Sequence, residues 1–463
     1  MTPERSVSDF NDPGLISAAE AGLLIDQYEL AMTASYLRQD MNEPAAFELF
    51  ARRLPPQRHW LLVAGLGPTL RLVDGLRFGE HELAYVGSLG FDQEFVSYLR
   101  DFRFTGDIDA IPEGTIAFAN EPLLRVTAPR IEAQLLETLL LNQVNFQTMA
   151  ASKAARVVLA AGGGEPGAGE SVVDFSARRD HGTDAAMKVA RASALAGCGG
   201  TSNVAAAMRY GLRPVGTMAH SYVMSFSDEE TAFRAFVEDF PDDATLLVDT
   251  YDTLGGVRNA IAAARDAGAK LAGVRLDSGD LLELARETRR MLDDSGLEEA
   301  LIVASGDLEE ARIAELVAAG APIDVWGVGT ELGTSRDSPV VNGVYKLVAH
   351  LLDGGWRGAS KHAADKETVP GRKQVFRRSE GGRMVEDEIV GLEEEAAGEP
   401  LLAPFMRGGE TVREESLEQV RERAAAQLAA LPERLRAPAA EKPEPYPVHY
   451  SARLAALGEE GGQ

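Results

Sequence analysis

Between residues 170 and 335 the chain repeats one pattern: a short apolar run ending in a charged or glycine-rich tip, then a stretch with helical spacing. The runs are S-V-V-D-F-S-A-R-R-D-H-G, V-G-T-M-A-H-S-Y-V-M-S-F, T-L-L-V-D-T-Y-D-T, L-A-G-V-R-L-D-S-G-D-L, L-I-V-A-S-G-D-L and I-D-V-W-G-V-G-T. Helical patterns occupy 184–197, 228–239, 257–267, 281–295 and 309–319. Such alternation predicts parallel strands joined by crossover helices. Six or seven units in about 180 residues fit a barrel better than an open sheet, with functional side chains at the carboxyl ends of the strands. The polar tips fall there, on one shared rim.

The second run carries a single histidine, His220. A lone histidine on an apolar run is by itself more often a hydrogen-bonded core residue than a catalyst. Its place in a series of strands with polar tips makes it a candidate catalyst.

A chain of 463 residues exceeds one compact core, and a prior of ~150 residues per domain suggests two or three. The formal charge of −26 argues against a general nucleic-acid or anionic-membrane surface, though local arginines can still bind phosphate. One cysteine, Cys198, excludes a disulfide framework and a cysteine-based zinc site. The acidic N-terminal stretch lacks the apolar core of a signal peptide, and no apolar run reaches the ~18 residues of a membrane helix. These features predict a soluble, cytoplasmic protein.

Residues 1–17 read as a solvated tail, and helical spacing starts at Ala21, with Leu23, Leu24, Gln27, Leu30, Ala31 and Tyr36 on one face. Residues 47–53 read as a strand; the run from Trp60 is a strand or a buried helix start. Residues 111–126 read as two short strands around the turn at 119–122. Residues 130–161 form one long helical pattern with Leu135, Leu139, Asn142 and Phe146 on a stripe, and a kink is expected near Asn145. The glycine-rich stretch 161–170 marks a domain boundary by composition. The expected division is 1–150, 151–345 and 346–463. In the last part, 373–377 reads as a strand, 417–431 as an amphipathic helix and 438–447 as an extended tail.

At the rim, Asp277-Ser278-Gly279-Asp280 joins a strand to a helix: Gly279 permits close backbone approach and Ser278 can cap the helix. Alone, this is equally a plain turn with a cap. Ala304-Ser305-Gly306-Asp307 repeats it, and Gly327-Val328-Gly329-Thr330 opens a third glycine-rich loop. The third has the wrong glycine spacing and position for a dinucleotide fingerprint. Three such loops together point to phosphate binding. Asp249, Asp252, Asp277, Asp280 and Asp307 form an expected acidic patch, with Asp249, Asp280 and Asp307 as candidate Mg²⁺ ligands; helix capping is the alternative role. Arg178, Arg179, Lys188 and Arg275 supply local positive charge, and no P-loop is present.

The segments L-L-I-D-Q-Y-E-L-A-M, F-R-F-T-G-D-I, L-L-N-Q-V-N-F-Q-T, D-F-S-A-R-R-D-H-G, G-T-M-A-H-S-Y-V-M-S-F, V-D-T-Y-D-T, V-R-L-D-S-G-D-L, S-G-D-L, G-V-G-T and V-P-G-R-K-Q-V resemble, in order, the nicotinate phosphoribosyltransferases. The resemblance runs from about residue 20 to 378. It implies an α/β protein with an irregular TIM-like barrel of the type II phosphoribosyltransferase kind, and an α/β sandwich domain built from N- and C-terminal segments. It implies ATP-coupled transfer of phosphoribosyl from phosphoribosyl pyrophosphate to nicotinate, giving nicotinate mononucleotide and pyrophosphate in NAD biosynthesis, with Mg²⁺ and a ligase classification. It also implies a homodimer with shared active sites.

By motif, the resemblance makes His220 the transiently phosphorylated histidine. Tyr28, from the neighbouring subunit, and Phe146 sandwich the pyridine ring, while Thr217 and Arg275 contact nicotinate. Asp277 holds the ribose hydroxyls, in the loop with Ser278 and Gly279. Gly306, Gly327, Gly329 and Thr330 or Thr334 hold the 5′-phosphate, with Arg178 among the substrate-binding residues. Unaided, Tyr28 and Phe146 read as core aromatics, and His181 rivals His220. Ile25 replaces a usual threonine, Glu331 brings an unexpected negative charge to the third loop, and 162–170 reads as an insertion. The chemistry agrees: the pyridine nitrogen already carries its lone pair, so transfer at the ribosyl C1 needs charge stabilisation of leaving pyrophosphate, not a base. Competing expectations are a nicotinamide or quinolinate enzyme, a sugar-phosphate barrel lyase or isomerase, and a silent pyridine-nucleotide binding module.

Overall fold

The computed structural model describes residues 20–55, 58–165, 167–360, 368–437 and 443–460. The tail predicted over 1–17, and 438–442 of the predicted extended tail, lie outside the described residues. The chain forms two compact units: Met1–Met149 with Val340–Pro432 and Glu444–Gln463, and Ala150–Pro339 with Glu433–Pro443.

The first unit opens with α1 (Gln27–Arg38). The spacing from Ala21 predicts an earlier start, but Ala21–Leu23 make only a 3-10 turn. Asp26, in extended backbone, closes a capping box with Glu29 and sets the helix start after itself. β1 (Pro44–Ala51) follows. The ambiguous run at Trp60 is a two-residue strand, β2 (Leu61–Leu62), ahead of α2 (Leu66–Gly75), α3 (Glu80–Ser88) and α4 (Gln93–Arg100). Then come β3 (Asp107–Ala110), β4 (Ile116–Ala117) and β5 (Pro122–Pro129), the last two around the expected turn, where Asn120 has φ 69°.

The long helical pattern breaks earlier than expected, into α5 (Arg130–Gln134) and α6 (Glu137–Ala161), with α6 unbroken through Asn145. The cause is Glu29. Its carboxylate accepts the Thr138 N–H at 3.2 Å, a donor that a continuous helix would give to a carbonyl four residues back. The chain passes into the second unit within α6, so the glycine-rich stretch lies inside that unit.

The second unit contains β6 (Val172–Asp174), α7 (Thr183–Leu195), β7 (Gly200–Thr201), α8 (Val204–Tyr210), α9 (His220–Val223), α10 (Glu229–Asp239) and β8 (Ala244–Leu247). It continues with α11 (Thr253–Ala267), β9 (Leu271–Leu276), α12 (Leu281–Asp293), β10 (Leu301–Ala304), α13 (Glu310–Ala318), β11 (Val325–Val328) and α14 (Thr330–Thr334). The six strands form one parallel sheet in the order β7-β6-β11-β10-β9-β8. Five of the six apolar runs are strands. The run around His220 is not: pairing with Thr201 ends at Val215, and residues 216–219 are irregular up to α9. That segment stands between β7 and β8 in sequence and supplies no strand, so the ladder is a half-barrel with β7 and β8 at its edges.

The C-terminal part returns to the first unit. β12 (Gly343–Leu352) pairs antiparallel with β1 and with β13 (Gly355–Gly358). β14 (Lys373–Glu380), β15 (Arg383–Gly391), β16 (Glu399–Pro400), β17 (Ala403–Arg407) and β18 (Glu410–Thr411) follow, then α15 (Leu417–Ala430), α16 (Glu433–Arg436), β19 (Val448–Tyr450) and α17 (Ala452–Glu460). β17 pairs with β3, completing a seven-stranded sheet in the order β13-β12-β1-β5-β3-β17-β18. Its core includes Leu49, Phe95, Ile108, Leu139, Tyr345 and Met406, each worth roughly 1.5–3 kcal/mol when its side chain is fully buried. Arg377 of β14 donates to Asp387 of β15 at 2.6 Å, and Tyr446 donates to the same carboxylate at 2.9 Å while stacking on Phe118. That network pins the segment leading into β19.

Candidate active site

Parallel strands deliver their carboxyl ends to one rim, so β6, β9, β10 and β11 bring the D-F-S-A-R-R, D-S-G-D, S-G-D-L and G-V-G-T tips together. They enclose a cleft of about 210 Å³ lined by Phe175, Arg178 and Arg179, by Asp277, by Ser305, Gly306, Asp307 and Leu308, and by Gly327, Gly329, Thr330 and Glu331. Gly306 is required where it stands. Its φ is +86°, and a Cβ there would lie 1.9 Å from the Asp277 carbonyl oxygen.

Asp277 is the hub. Its Oδ1 accepts from Ser305 Oγ at 2.5 Å and from Arg275 Nη2 at 3.3 Å, and its Oδ2 lies 3.9 Å from His220 Nε2. The other imidazole nitrogen, Nδ1, is 3.2 Å from Thr250 Oγ1. Arg275 Nη1 donates to Thr217 Oγ1 at 2.7 Å and to the Met218 carbonyl at 3.1 Å. The structure therefore gathers His220, Thr217, Arg275 and Asp277 although His220 begins a helix.

The acidic patch separates into distinct roles. Asp249 accepts the Asp277 N–H at 3.0 Å and the Ser278 hydroxyl at 2.6 Å, fixing the loop in which Gly279 has φ +84°. Its second oxygen is buried without a partner. Asp280 caps α12 through the Leu282 and Glu283 N–H groups, and Asp252 caps α11 through Gly255. Asp307 lines the cleft. Among the described residues no three His, Cys, Asp or Glu gather as a metal-ligand group, so the expected set of Asp249, Asp280 and Asp307 is not one preformed ion site.

Thr330 lines the cleft, whereas the Thr334 hydroxyl is used on the Thr330 carbonyl at 2.7 Å. Lys188, expected to add positive charge, pairs with Asp184 on α7. Glu331 lies at the cleft but accepts from Arg336 at 2.9 Å, which offsets its charge. His181 is exposed. Tyr28 and Phe146 belong to the first unit: Tyr28 is exposed on the first turn of α1, and Phe146 is half-buried on α6. Burial, then the charges of Glu137 and Glu29, raise the Tyr28 phenol above its ordinary value.

Thr250 and Ser305 are site residues that pattern reading passed over. Both sit inside motifs read for their aspartates, one residue after Asp249 and two before Asp307, so the signal was present in V-D-T-Y-D-T and A-S-G-D.

Comparison with known proteins supports the same family along the chain. The nicotinate phosphoribosyltransferase N-terminal domain matches residues 23–145, the nicotinate phosphoribosyltransferase family 171–386, and the nicotinate phosphoribosyltransferase C-terminal domain 392–458. The chain is 47% identical over 437 residues to nicotinate phosphoribosyltransferase pncB2 of Mycobacterium tuberculosis, covering 93% of this chain and 92% of that one. It is 42% identical to nicotinate phosphoribosyltransferase of Bacillus subtilis, covering 76% of this chain and 72% of that one. The crystal structure of human nicotinic acid phosphoribosyltransferase superposes with a TM-score of 0.81 at 28% identity, covering 95% of this chain and 100% of that one. Neither the lyase or isomerase reading nor the silent-module reading accounts for agreement of this extent. The chain belongs to the nicotinate phosphoribosyltransferase family.

Proposed function

We propose that the cleft at the carboxyl rim of the parallel sheet passes a phosphoribosyl group from phosphoribosyl pyrophosphate to nicotinate, releasing nicotinate mononucleotide and pyrophosphate for NAD biosynthesis. The observation that carries this is the convergence of three glycine-bearing tips and two arginines on one cleft, with Asp277, bound to Arg275, in its lining. Gly306, Gly327, Gly329 and Thr330 take the 5′-phosphate, with Arg178 and Arg179 as cations, and Asp277 takes the ribose hydroxyls. Arg275 and Thr217 recognise the nicotinate carboxylate.

The pyridine nitrogen forms a bond to C1 as the C1–oxygen bond to pyrophosphate breaks, and the electron pair leaves on pyrophosphate. No side chain need remove a proton. Tyr28 and Phe146 stack on the pyridine, Tyr28 from a second copy of the chain, so the working form is a homodimer. His220 is the residue that takes a phosphoryl group from ATP, coupling its hydrolysis to transfer. The unpartnered Asp249 oxygen fits a Mg²⁺ ion whose other ligands come from phosphate oxygens, while Asp280 spends only its Oδ1 on the helix cap. Bound there, the ion would draw charge from the leaving pyrophosphate. In the finer reading of the fold, the half-barrel is the core of a TIM-like type II barrel, and the seven-stranded sheet belongs to a sandwich domain.

The test is to incubate the protein with phosphoribosyl pyrophosphate and nicotinate, nicotinamide or quinolinate, with and without ATP, and to identify the products. Nicotinate mononucleotide should form, faster with ATP. Preferential turnover of nicotinamide or quinolinate would overturn the substrate assignment.

A further inference from the structure

The D-F-S-A-R-R-D-H-G segment holds two carboxylates that the reaction above leaves unused. Asp174 ends β6, fully buried, and accepts the Ser176 N–H at 2.9 Å, the Ser176 hydroxyl at 2.6 Å and the Thr201 hydroxyl at 2.8 Å. The Thr201 oxygen itself accepts the Asn203 N–H at 3.0 Å, so its own proton is free for Asp174. Asp180 is different. Its Oδ2 lies 3.0 Å from the same Ser176 oxygen, and its Oδ1 is buried without a partner.

A serine hydroxyl has a single proton. Burial raises the Asp174 carboxyl, but its three donors offset part of that, so of the two carboxylates Asp174 is the one that keeps its charge and the Ser176 proton. The contact between Ser176 and Asp180 then needs a proton on Asp180. Burial, followed by the charge of Asp174, pushes the Asp180 carboxyl up to about 6, in keeping with that order.

α14 rests on this pair. A Cβ on Gly333 would stand 2.0 Å from Asp180 Oδ1 and 2.5 Å from the Ser176 Cβ, so no side chain fits between them. Four residues before Gly333 is Gly329, which lines the cleft with Thr330. The charged groups acting on Asp180 are Asp174 on β6 and His181 on its own loop; Arg178 and Arg179 precede it in that loop, and Glu331, held by Arg336, stands two residues before Gly333.

We propose that Asp180 is a positioning residue for the phosphate end of the cleft: its protonated carboxyl donates to Ser176 and seats α14, and its ionisation weakens phosphate binding. The proposal rests on assigning this cleft to phosphoribosyl pyrophosphate. Ionised Asp180 loses its bond to Ser176 and places a negative charge behind the bound phosphates. Anion binding and protonation of Asp180 therefore favour each other.

Asp180→Asn keeps a donor for Ser176 and cannot ionise. KM for phosphoribosyl pyrophosphate, measured for both proteins across about pH 5 to 8.5, gives a ratio in which titration of the substrate and of shared groups cancels. The ratio of wild type to variant should be near one at about pH 5 and several-fold larger by about pH 8, while the ratio for nicotinate stays flat. A flat phosphoribosyl pyrophosphate ratio overturns the proposal. Asp180→Ala, lacking the donor, should raise that KM even at low pH; a folded Asp180→Ala protein that binds as wild type there also overturns it. Thr330→Val tests the underlying assignment separately: an unchanged KM for phosphoribosyl pyrophosphate in that variant removes the cleft assignment, and the proposal with it, whatever the Asp180 variants do.

Discussion

The Arg275 guanidinium lies 2.7 Å from Thr217 Oγ1, so two side chains expected to grip the same carboxylate also grip each other. Arg275 is held as well by the Met218 carbonyl and by Asp277, and its Nε is buried without a partner. A guanidinium fixed in this way is oriented before substrate arrives.

Arg275→Gln should therefore raise KM for nicotinate. A charge-assisted hydrogen bond is worth about 1.5–3 kcal/mol, or roughly 10- to 100-fold in KM. Preference for nicotinate over nicotinamide should shrink by a similar factor, while the melting temperature changes little. Steady-state kinetics with both pyridines check this; unchanged nicotinate kinetics would remove Arg275 from the site.

His220 sits with Nδ1 near Thr250 and Nε2 facing Asp277. With γ-labelled ATP and Mg²⁺ the wild-type protein should take up an acid-labile, base-stable label, discharged by nicotinate and phosphoribosyl pyrophosphate. His220→Ala should take up none while still binding phosphoribosyl pyrophosphate. Label retained in His220→Ala but lost in His181→Ala would transfer the role to the exposed histidine.

Lys153, 1% exposed on α6, bridges Glu310 of α13 and Asp337, the latter at 2.9 Å, while Arg156 reaches Glu310 at 2.8 Å. Lys153→Met takes the buried ammonium from Glu310 and Asp337, leaving Arg156 on Glu310, and should cost up to about 3–5 kcal/mol of stability. Urea unfolding measures it. A loss below ~1 kcal/mol would mean that the buried pairs stand without the lysine.

Glu29 gives a pH signature. It is fully buried, and burial outweighs its bonds from Thr138, pushing its carboxyl up to about 7. The folded chain thus keeps a proton that the unfolded chain releases near the ordinary carboxylate value of ~4.3. The stability from this group is complete below that value and is lost as pH rises through about 7. Glu29→Gln, always neutral, should gain on wild type across that window by a few kcal/mol at most. Parallel stability–pH profiles of the two proteins would show that Glu29 does not titrate there.

Much of this was legible in order. Period and punctuation identify β8, β9, β10 and β11, and the helices after the first three, because each strand is short, apolar and ended by Gly or Asp; α14, after β11, reads as a glycine-rich loop. What pattern reading missed was decided by distant partners. No local signal says that Glu29 will claim the Thr138 N–H and break the helix at Leu135–Leu136 rather than near Asn145. The apolar run before His220 imitates a strand, yet its pairing with Thr201 stops at Val215. Asp280 reads the same in sequence as a metal ligand or a helix cap, and the cap becomes visible only in the N–H groups of Leu282 and Glu283. The offset of Glu331 by Arg336, five residues on, could not be read from residue type alone.

The seven-stranded sheet places β12 beside β1 and β17 beside β3, so its middle strands are made long before their neighbours. On a ribosome adding about 5–20 residues per second, β1, β3 and β5 would wait roughly ten to forty seconds between emergence of Pro129 and of Gly343. The whole second-unit sheet is synthesised within that interval. Newborn chains thus carry unpaired, apolar strand edges through nearly half of their synthesis, a window in which a holding chaperone would change yield without changing the finished enzyme.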